Sequence, residues 1–202
     1  MVHGGERSKP DGVRLFQLRI LAGMRDNDAI VDLALERLGA DRAEMDLASK
    51  REPFLSPAGH FEDVVELLGP PLSSTTFLLE PDGPWADRPL TKLTYRLPLW
   101  PDLEFYLSGN PRLPIAYDFG FARPADTPAA APNQLADLRP WACLRDEVIE
   151  HFGAPVEEGD RWAPFETYIF KARHADGSVS RFRACFSWNL LQRVTVIEED
   201  LS

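Results

Sequence analysis

The strongest constraint on this chain is a phrase that it carries twice. Phe61-Glu-Asp-Val-Val-Glu-Leu-Leu-Gly-Pro-Pro71 returns in outline as Arg145-Asp-Glu-Val-Ile-Glu-His-Phe-Gly-Ala-Pro155. With Gly69 set on Gly153, a spacing of 84 residues (153 − 69), Val64 falls on Val148, Glu66 on Glu150 and Pro71 on Pro155. In each copy a short amphipathic run ends at a glycine, which tolerates the left-handed turn after a helix, and then at a proline, which cannot continue the hydrogen-bond ladder. Trp85 follows the first copy and Trp162 the second, and β-rich runs come after each tryptophan. The repetition predicts an α+β chain of two related modules, each a helix followed by an antiparallel sheet of three or more strands.

The rest of the chain fits around those modules. Residues 1–12 are small and polar, the composition of a flexible tail. Over 13–22, Val13, Leu15, Leu18, Ile20 and Leu21 fit a strand and a helix equally. Asp26-Asn-Asp28 offers capping side chains to a helix over 29–38, whose apolar stripe is Ile30, Val31, Ala34, Leu35 and Leu38 and whose stop is Gly39. Residues 40–58 are mixed and broken by Pro53 and Pro57. Strands are expected over Leu90–Leu97, Leu103–Leu107 and Ile115–Phe121, where aromatics suit a pleated surface. The Pro/Ala-rich stretch 124–140 reads as an extended linker dividing a module at 13–123 from one at 141–202. The second module is expected to hold a helix over about 141–152, an acidic loop over 156–162, and strands over 165–173, 179–187 and 192–199. Asp176-Gly177 signals a hairpin. Near the end, Phe182, Ala184, Phe186 and Trp188 alternate with polar residues and face Val194 and Val196, as in a sheet wet on one side.

Charge narrows the choice of partner. The 202 residues carry a formal net charge of −10. Such a chain is repelled by phosphate backbones and anionic membranes, which argues against nucleic-acid or membrane binding and favours a basic protein as partner. Two cysteines, Cys143 and Cys185, cannot make a disulfide framework and fit a reducing compartment. Arg14, Gln17 and Arg19 interrupt the apolar stretch at 13–22, so a cytoplasmic protein is expected.

Sequences that pass from a helix with a Gly-x-Pro stop, through a tryptophan-bearing loop, to a meander ending in Val-x-Val resemble the modules of β-lactamase inhibitor proteins and of small outer-membrane assembly lipoproteins. The likeness covers about residues 60–121 and 143–199. It implies two tandem modules that grip another protein with an aromatic-lined sheet face. Unlike that group, this chain has no paired cysteines within each module. An acidic cytoplasmic binder of this kind resembles the immunity proteins that bacteria keep against their own toxins.

Motifs of chemistry are missing. Cys143 and His151 stand eight apart, and neither they nor Cys185 and His174 fall at the C-x-x-C or H-x-x-x-H spacings that pre-arrange zinc. There is no Gly-x-Ser-x-Gly elbow and no phosphate-cradling glycine loop. Adjacent acids such as Asp146/Glu147 read as solvated helix caps. The expectation is a non-enzymatic binder without cofactor or metal, most concretely an immunity-type inhibitor of a basic toxin or enzyme. Its contact residues are expected among Asp82, Trp85, Trp100, Asp102, Glu157, Glu158, Asp160 and Trp162, with tryptophans as anchors and acids as steering groups. The competing reading is a small-ligand binder or hydrolase with a carboxylate- and tyrosine-lined site between the sheets, using residues such as Tyr95, Tyr106 and Tyr117.

Overall fold

The computed structural model describes residues 12–24, 27–50, 61–78, 89–110 and 116–200. Four helices come first: α1 (Gly12–Ala22), α2 (Asp28–Arg37), α3 (Arg42–Lys50) and α4 (Phe61–Leu68). The first sheet follows as β1 (Ser73–Leu78), β2 (Pro89–Arg96), β3 (Glu104–Gly109) and β4 (Ala116–Ala122). A 3-10 turn at Leu135–Asp137 leads to α5 (Arg145–Phe152), then β5 (Glu157–Trp162), β6 (Phe165–Arg173), β7 (Val179–Ser187) and β8 (Leu190–Asp200). Each sheet has four antiparallel strands in sequential order. The architecture is α+β, as expected.

The duplicated phrase is reproduced as duplicated structure. Helices α4 and α5, and strands β1 and β5, begin 84 residues apart (145 − 61 and 157 − 73). Gly69 and Gly153 both take positive φ, 77° and 81°. The Gly69 N–H donates to the Val65 carbonyl at 2.8 Å and the Gly153 N–H to Ile149 at 2.9 Å. Leu72 N–H meets the Thr94 carbonyl as Val156 N–H meets that of Ile169, both at 2.8 Å. Val64 and Val148 are fully buried. The common spacing ends after β1 and β5, because residues 79–88 join β1 to β2 whereas Ala163-Pro164 alone joins β5 to β6.

One open reading is decided and three expectations are corrected. Residues 13–21, which fit a strand and a helix equally in sequence, are helical, within α1. Residues 42–50 form α3, although its buried stripe is only Met45 and Ala48. Residues 141–144 precede α5 instead of opening it. Finally, 157–162 is a strand: β5 is exposed along its whole length, so no apolar alternation marks it. Ser/Thr-rich β1, exposed everywhere but at Phe77, also lacks apolar alternation; β1 raises the first sheet from three strands to four, as β5 does the second.

Residues 124–140 are not a free spacer. The Ala130 N–H donates to Glu147 Oε1 at 3.1 Å, Asn133 and Gln134 N–H donate to Asp137, and Leu138 is buried in the second core. The boundary also fails to divide the hydrophobic interior. One core joins Phe16, Ile20 and Leu21 of α1 to Phe105 and Phe121 of the first sheet, and it includes Leu144, Trp188 and Leu190 from beyond the boundary.

The β7–β8 turn makes this joint. Trp188 and Asn189 both have positive φ, 55° and 67°, the signature of a two-residue hairpin turn matched to strand twist. The indole leaves the second sheet and lies with its centroid 5.4 Å from Phe119 and 6.2 Å from Phe105. Its Nε1–H donates to the Ile20 carbonyl at 3.1 Å, and its own carbonyl accepts from Phe121 N–H at 2.8 Å. Asn189 Nδ2–H donates to Phe121 O at 3.1 Å. Two glycines admit the turn: a Cβ at Gly23 would stand 3.0 Å from the indole, and one at Gly120 would stand 2.9 Å from the Trp188 carbonyl.

Candidate functional site

Of the acids and tryptophans singled out in the sequence, the six among the described residues do not form one patch. Glu157, Glu158, Asp160 and Trp162 all lie on β5, the free edge of the second sheet. Their side chains are exposed on both faces, among the described residues no strand pairs beyond β5, and Trp162 at its end is 73% exposed. Glu157 pairs with Arg181, and Glu158 accepts from Arg161 at 3.0 Å. A large ring with little anchorage beside three carboxylates has the composition of a contact surface. Asp102 is exposed in the turn before β3, away from that edge in sequence and sheet. Asp82 and Trp85 lie outside the described residues.

Trp100 is corrected. It is only 3% exposed, with its ring 4.7 Å from Phe121 and 5.5 Å from Trp141. A side chain held in this cluster of tilted rings is part of the core and cannot anchor a partner. The proline and acid beside it, Pro101 and Asp102, sit in the exposed turn, whereas the ring points inward.

Glu147, read as a solvated cap, is buried as well. Both of its oxygens are engaged by the Arg123 guanidinium, and it also accepts from Leu144 N–H at 2.8 Å and Ala130 N–H at 3.1 Å. Arg123 donates onward to the Ala142 carbonyl at 2.9 Å. Since Arg123 follows β4 and Glu147 is in the first turn of α5, this pair fastens one module to the other. Sequence spacing gives no sign of it, because the partners are 24 residues apart across irregular chain.

A cleft of about 350 Å³ opens where the two modules meet. Tyr106 and Asp118 come from the open face of the first sheet, Arg145 from the start of α5, and Arg161 and Glu166 from the β5–β6 hairpin. Tyr106 Oη–H donates to Asp118 Oδ2 at 3.0 Å, and Arg145 Nη1 donates to Glu166 Oε2 at 2.7 Å. Arg161 approaches Glu166 at 3.8 Å. Burial, reinforced by the Asp118 charge, pushes the Tyr106 hydroxyl well above its ordinary pKa, so it is a neutral donor here and not a phenolate. The cleft's charges are already matched within it, and its lining includes no histidine, cysteine or serine. It can therefore present hydrogen bonds and paired ions to a ligand. Of the other tyrosines named for such a site, Tyr95 is in the core and the side chain of Tyr117 lies outside the described residues.

A second concavity, about 710 Å³, is lined by His151, Lys171, Arg173 and His174 and contains no carboxylate. The C-terminal turn of α5 ends there, and the negative end of its dipole opposes an anion. Cys143 and Cys185 are unbonded to each other and buried. Burial raises the Cys143 thiol above its usual pKa, which keeps it an unreactive core group. Among the described residues, no three His, Cys, Asp or Glu side chains converge as metal ligands, and no helix is long and apolar enough to cross a membrane. Comparison with protein-family models, with curated proteins and with solved structures finds no match.

Proposed function

We propose that the chain is a protein-binding module for a basic partner, most concretely an immunity-type inhibitor that occludes a toxin or enzyme. The observation that carries this reading is the β5 edge, where Trp162 stands 73% exposed beside exposed Glu157, Glu158 and Asp160. The net charge of −10 supports it, since an acidic surface speeds encounter with a cationic protein. A tryptophan supplies large contact area while losing few rotamers, so it suits the centre of such an interface.

The test is identification of a co-purifying protein, followed by calorimetric titration of the purified pair. A basic partner is expected, bound roughly tenfold or more weakly by Trp162→Ala, as for a tryptophan hot spot. Replacing Glu157, Glu158 and Asp160 with their amides is expected to slow association at low salt and to matter little at high salt. An acidic partner, or equal binding by the Trp162 variant, overturns the reading.

The inter-module cleft favours a second reading, a small polar ligand held by Tyr106, Arg145 and Glu166. A compound that raises the melting temperature of the intact protein but not of Tyr106→Phe would support that reading over the first.

A further inference from the structure

The two equivalent edge strands have been treated differently. β5 carries Glu157, Glu158, Asp160 and Arg161, and its register shifts between Glu158 and Arg161. Charge and a bulge are the usual protections of a free edge against pairing with another chain. β1 has neither. It reads Ser73-Ser74-Thr75-Thr76-Phe77-Leu78, pairs with β2 over six residues without a shift, and is exposed at every position except Phe77. Exposed leucines bracket it, Leu72 at 58% and Leu78 at 65%. Their counterparts across the duplication are Val156 and Trp162, so the apolar brackets are shared and only the protections differ.

We infer that β1 is a self-association edge, and that two copies of this chain join through antiparallel β1–β1 pairing into one continuous eight-stranded sheet. The geometry selects the register. Ser73 shares the open face with Thr94, as their hydroxyls, 2.6 Å apart, require, and Phe77 lines a concavity on that face with Lys92 and Tyr106. Ser74, Thr76 and Leu78 are registered with Leu93, Thr91 and Pro89 on the opposite face. A dyad that continues the sheet keeps each face on its own side, so residues of the same parity must oppose one another. One residue then lies on the dyad. With Thr75 there, Ser73 of each copy opposes Phe77 of the other, Ser74 opposes Thr76, and Leu72, in the bend just before β1, comes alongside Leu78 of the other copy. Both pairs of exposed leucines are covered, and no charge meets a like charge. The neighbouring register, centred on Thr76, sets Leu78 against Ser74 and leaves Leu72 without an apolar partner. The same construction on β5, centred on Gly159, would set Glu158 against Asp160 twice; it would also set Glu157 against Arg161, but these already hold Arg181 and Glu158 within the chain, and the register shift interrupts the edge between them, so association is opposed. A second copy is therefore favoured at β1 and disfavoured at β5. This inference is independent of the reading of β5 as a contact surface for a basic protein.

Sedimentation of the intact chain over a concentration series tests the proposal. A reversible monomer–dimer equilibrium is expected, strengthened by salt, because each copy carries a net charge of −10. Thr75→Lys places two ammonium groups on the dyad and is expected to weaken dimerisation roughly tenfold or more without altering the circular dichroism of the monomer. Thr75→Cys is expected to form a disulfide dimer under mild oxidation, since residues on the dyad face each other directly. Ser74→Cys is expected to form none, because its copies stand diagonally, beyond the ~7 Å limit for bridging. The native cysteines are 2% and 7% exposed and shielded from this reaction. A monomer at every concentration, with the edge vacant or taken by a foreign strand, overturns the inference. So does a dimer indifferent to Thr75→Lys, or one cross-linked through residue 74 instead of 75.

Discussion

At the scale of single residues, Trp188 has the most to lose. Its indole fills space between α1 and the first sheet, and its Nε1–H satisfies the Ile20 carbonyl there. Trp188→Ala removes the ring and leaves a cavity that the surrounding aromatics fill only in part, which costs about 3–5 kcal/mol. Urea denaturation followed by far-ultraviolet circular dichroism measures the loss. Tyr95 presents the opposite case. It is 5% exposed, its hydroxyl has no partner among the described residues, and burial pushes its pKa up to about 12. A phenol whose folded pKa lies above its unfolded value of ~10, because burial penalises the phenolate, leaves the protein's stability at its full value below the unfolded pKa. Part of that stability is lost as pH rises through 10 towards 12. Tyr95→Phe is therefore expected to be neutral or stabilising at pH 7 and to flatten the loss of stability in this alkaline window, as read from urea midpoints across pH. The two side chains also mark what the sequence discloses. Alternation correctly points Phe182, Ala184 and Phe186 inward, and all three are at most 1% exposed. It then extends the pattern to Trp188, where the backbone turns and carries the ring into the other module. A period of two holds only while the strand lasts.

At the scale of elements, the duplication is legible because its signals are local. A helix stop needs one glycine in an unusual conformation, and both copies have it. Gly153 has φ 81° and ψ −176°, a region essentially reserved for glycine. A Cβ there would meet nothing within 4 Å, so crowding is not the reason for the residue. Gly153→Ala is expected to destabilise by about 1–3 kcal/mol through backbone strain alone. Gly69, with φ 77° and equally open surroundings, should also lose stability on mutation to alanine. Thermal melts of the two variants check this, and an unchanged melting temperature in either one contradicts the account. The elements that escape a sequence reading are those without a buried face. β1 and β5 are edge strands with no apolar alternation, and α3 buries only Met45 and Ala48 while Leu47 stays exposed. The candidate site follows the same division. The exposure of Glu157, Glu158, Asp160 and Trp162 agrees with their polar surroundings in sequence, whereas Trp100, in similar surroundings, turns inward to the aromatic cluster. Neighbours along the chain do not determine which way a large ring points.

At the scale of the whole molecule, duplication of the modules does not make them independent. Trp188, Leu144 and Leu190 complete the core beneath the first sheet, and the buried Arg123–Glu147 pair ties the end of β4 to α5. Residues 124–140 run along the second module and contribute Leu138 to its core. Arg123→Ala leaves the carboxylate of Glu147 with only the Leu144 and Ala130 N–H donors reported above, so it is expected to cost about 1.5–3 kcal/mol, more than an exposed pair of this protein would. If the modules were separable, that loss would fall on their association, and each would still melt on its own. A shared core requires a different result. Opening the second module withdraws Trp188 from the first, exposing Phe105 and Phe119 together, so neither unit keeps its stability once the other is gone. Unfolding of the intact chain should then be a single transition, coincident by near-ultraviolet signals of the tryptophans and far-ultraviolet signals of the backbone. Arg123→Ala should move both curves together to lower denaturant. A chain ending at residue 140 lacks the indole, Leu144 and Leu190 that close its core, and it should give no cooperative transition. Two resolved transitions in the intact protein, or a cooperative fold in the shortened one, would return the boundary to the place where the Pro/Ala composition puts it.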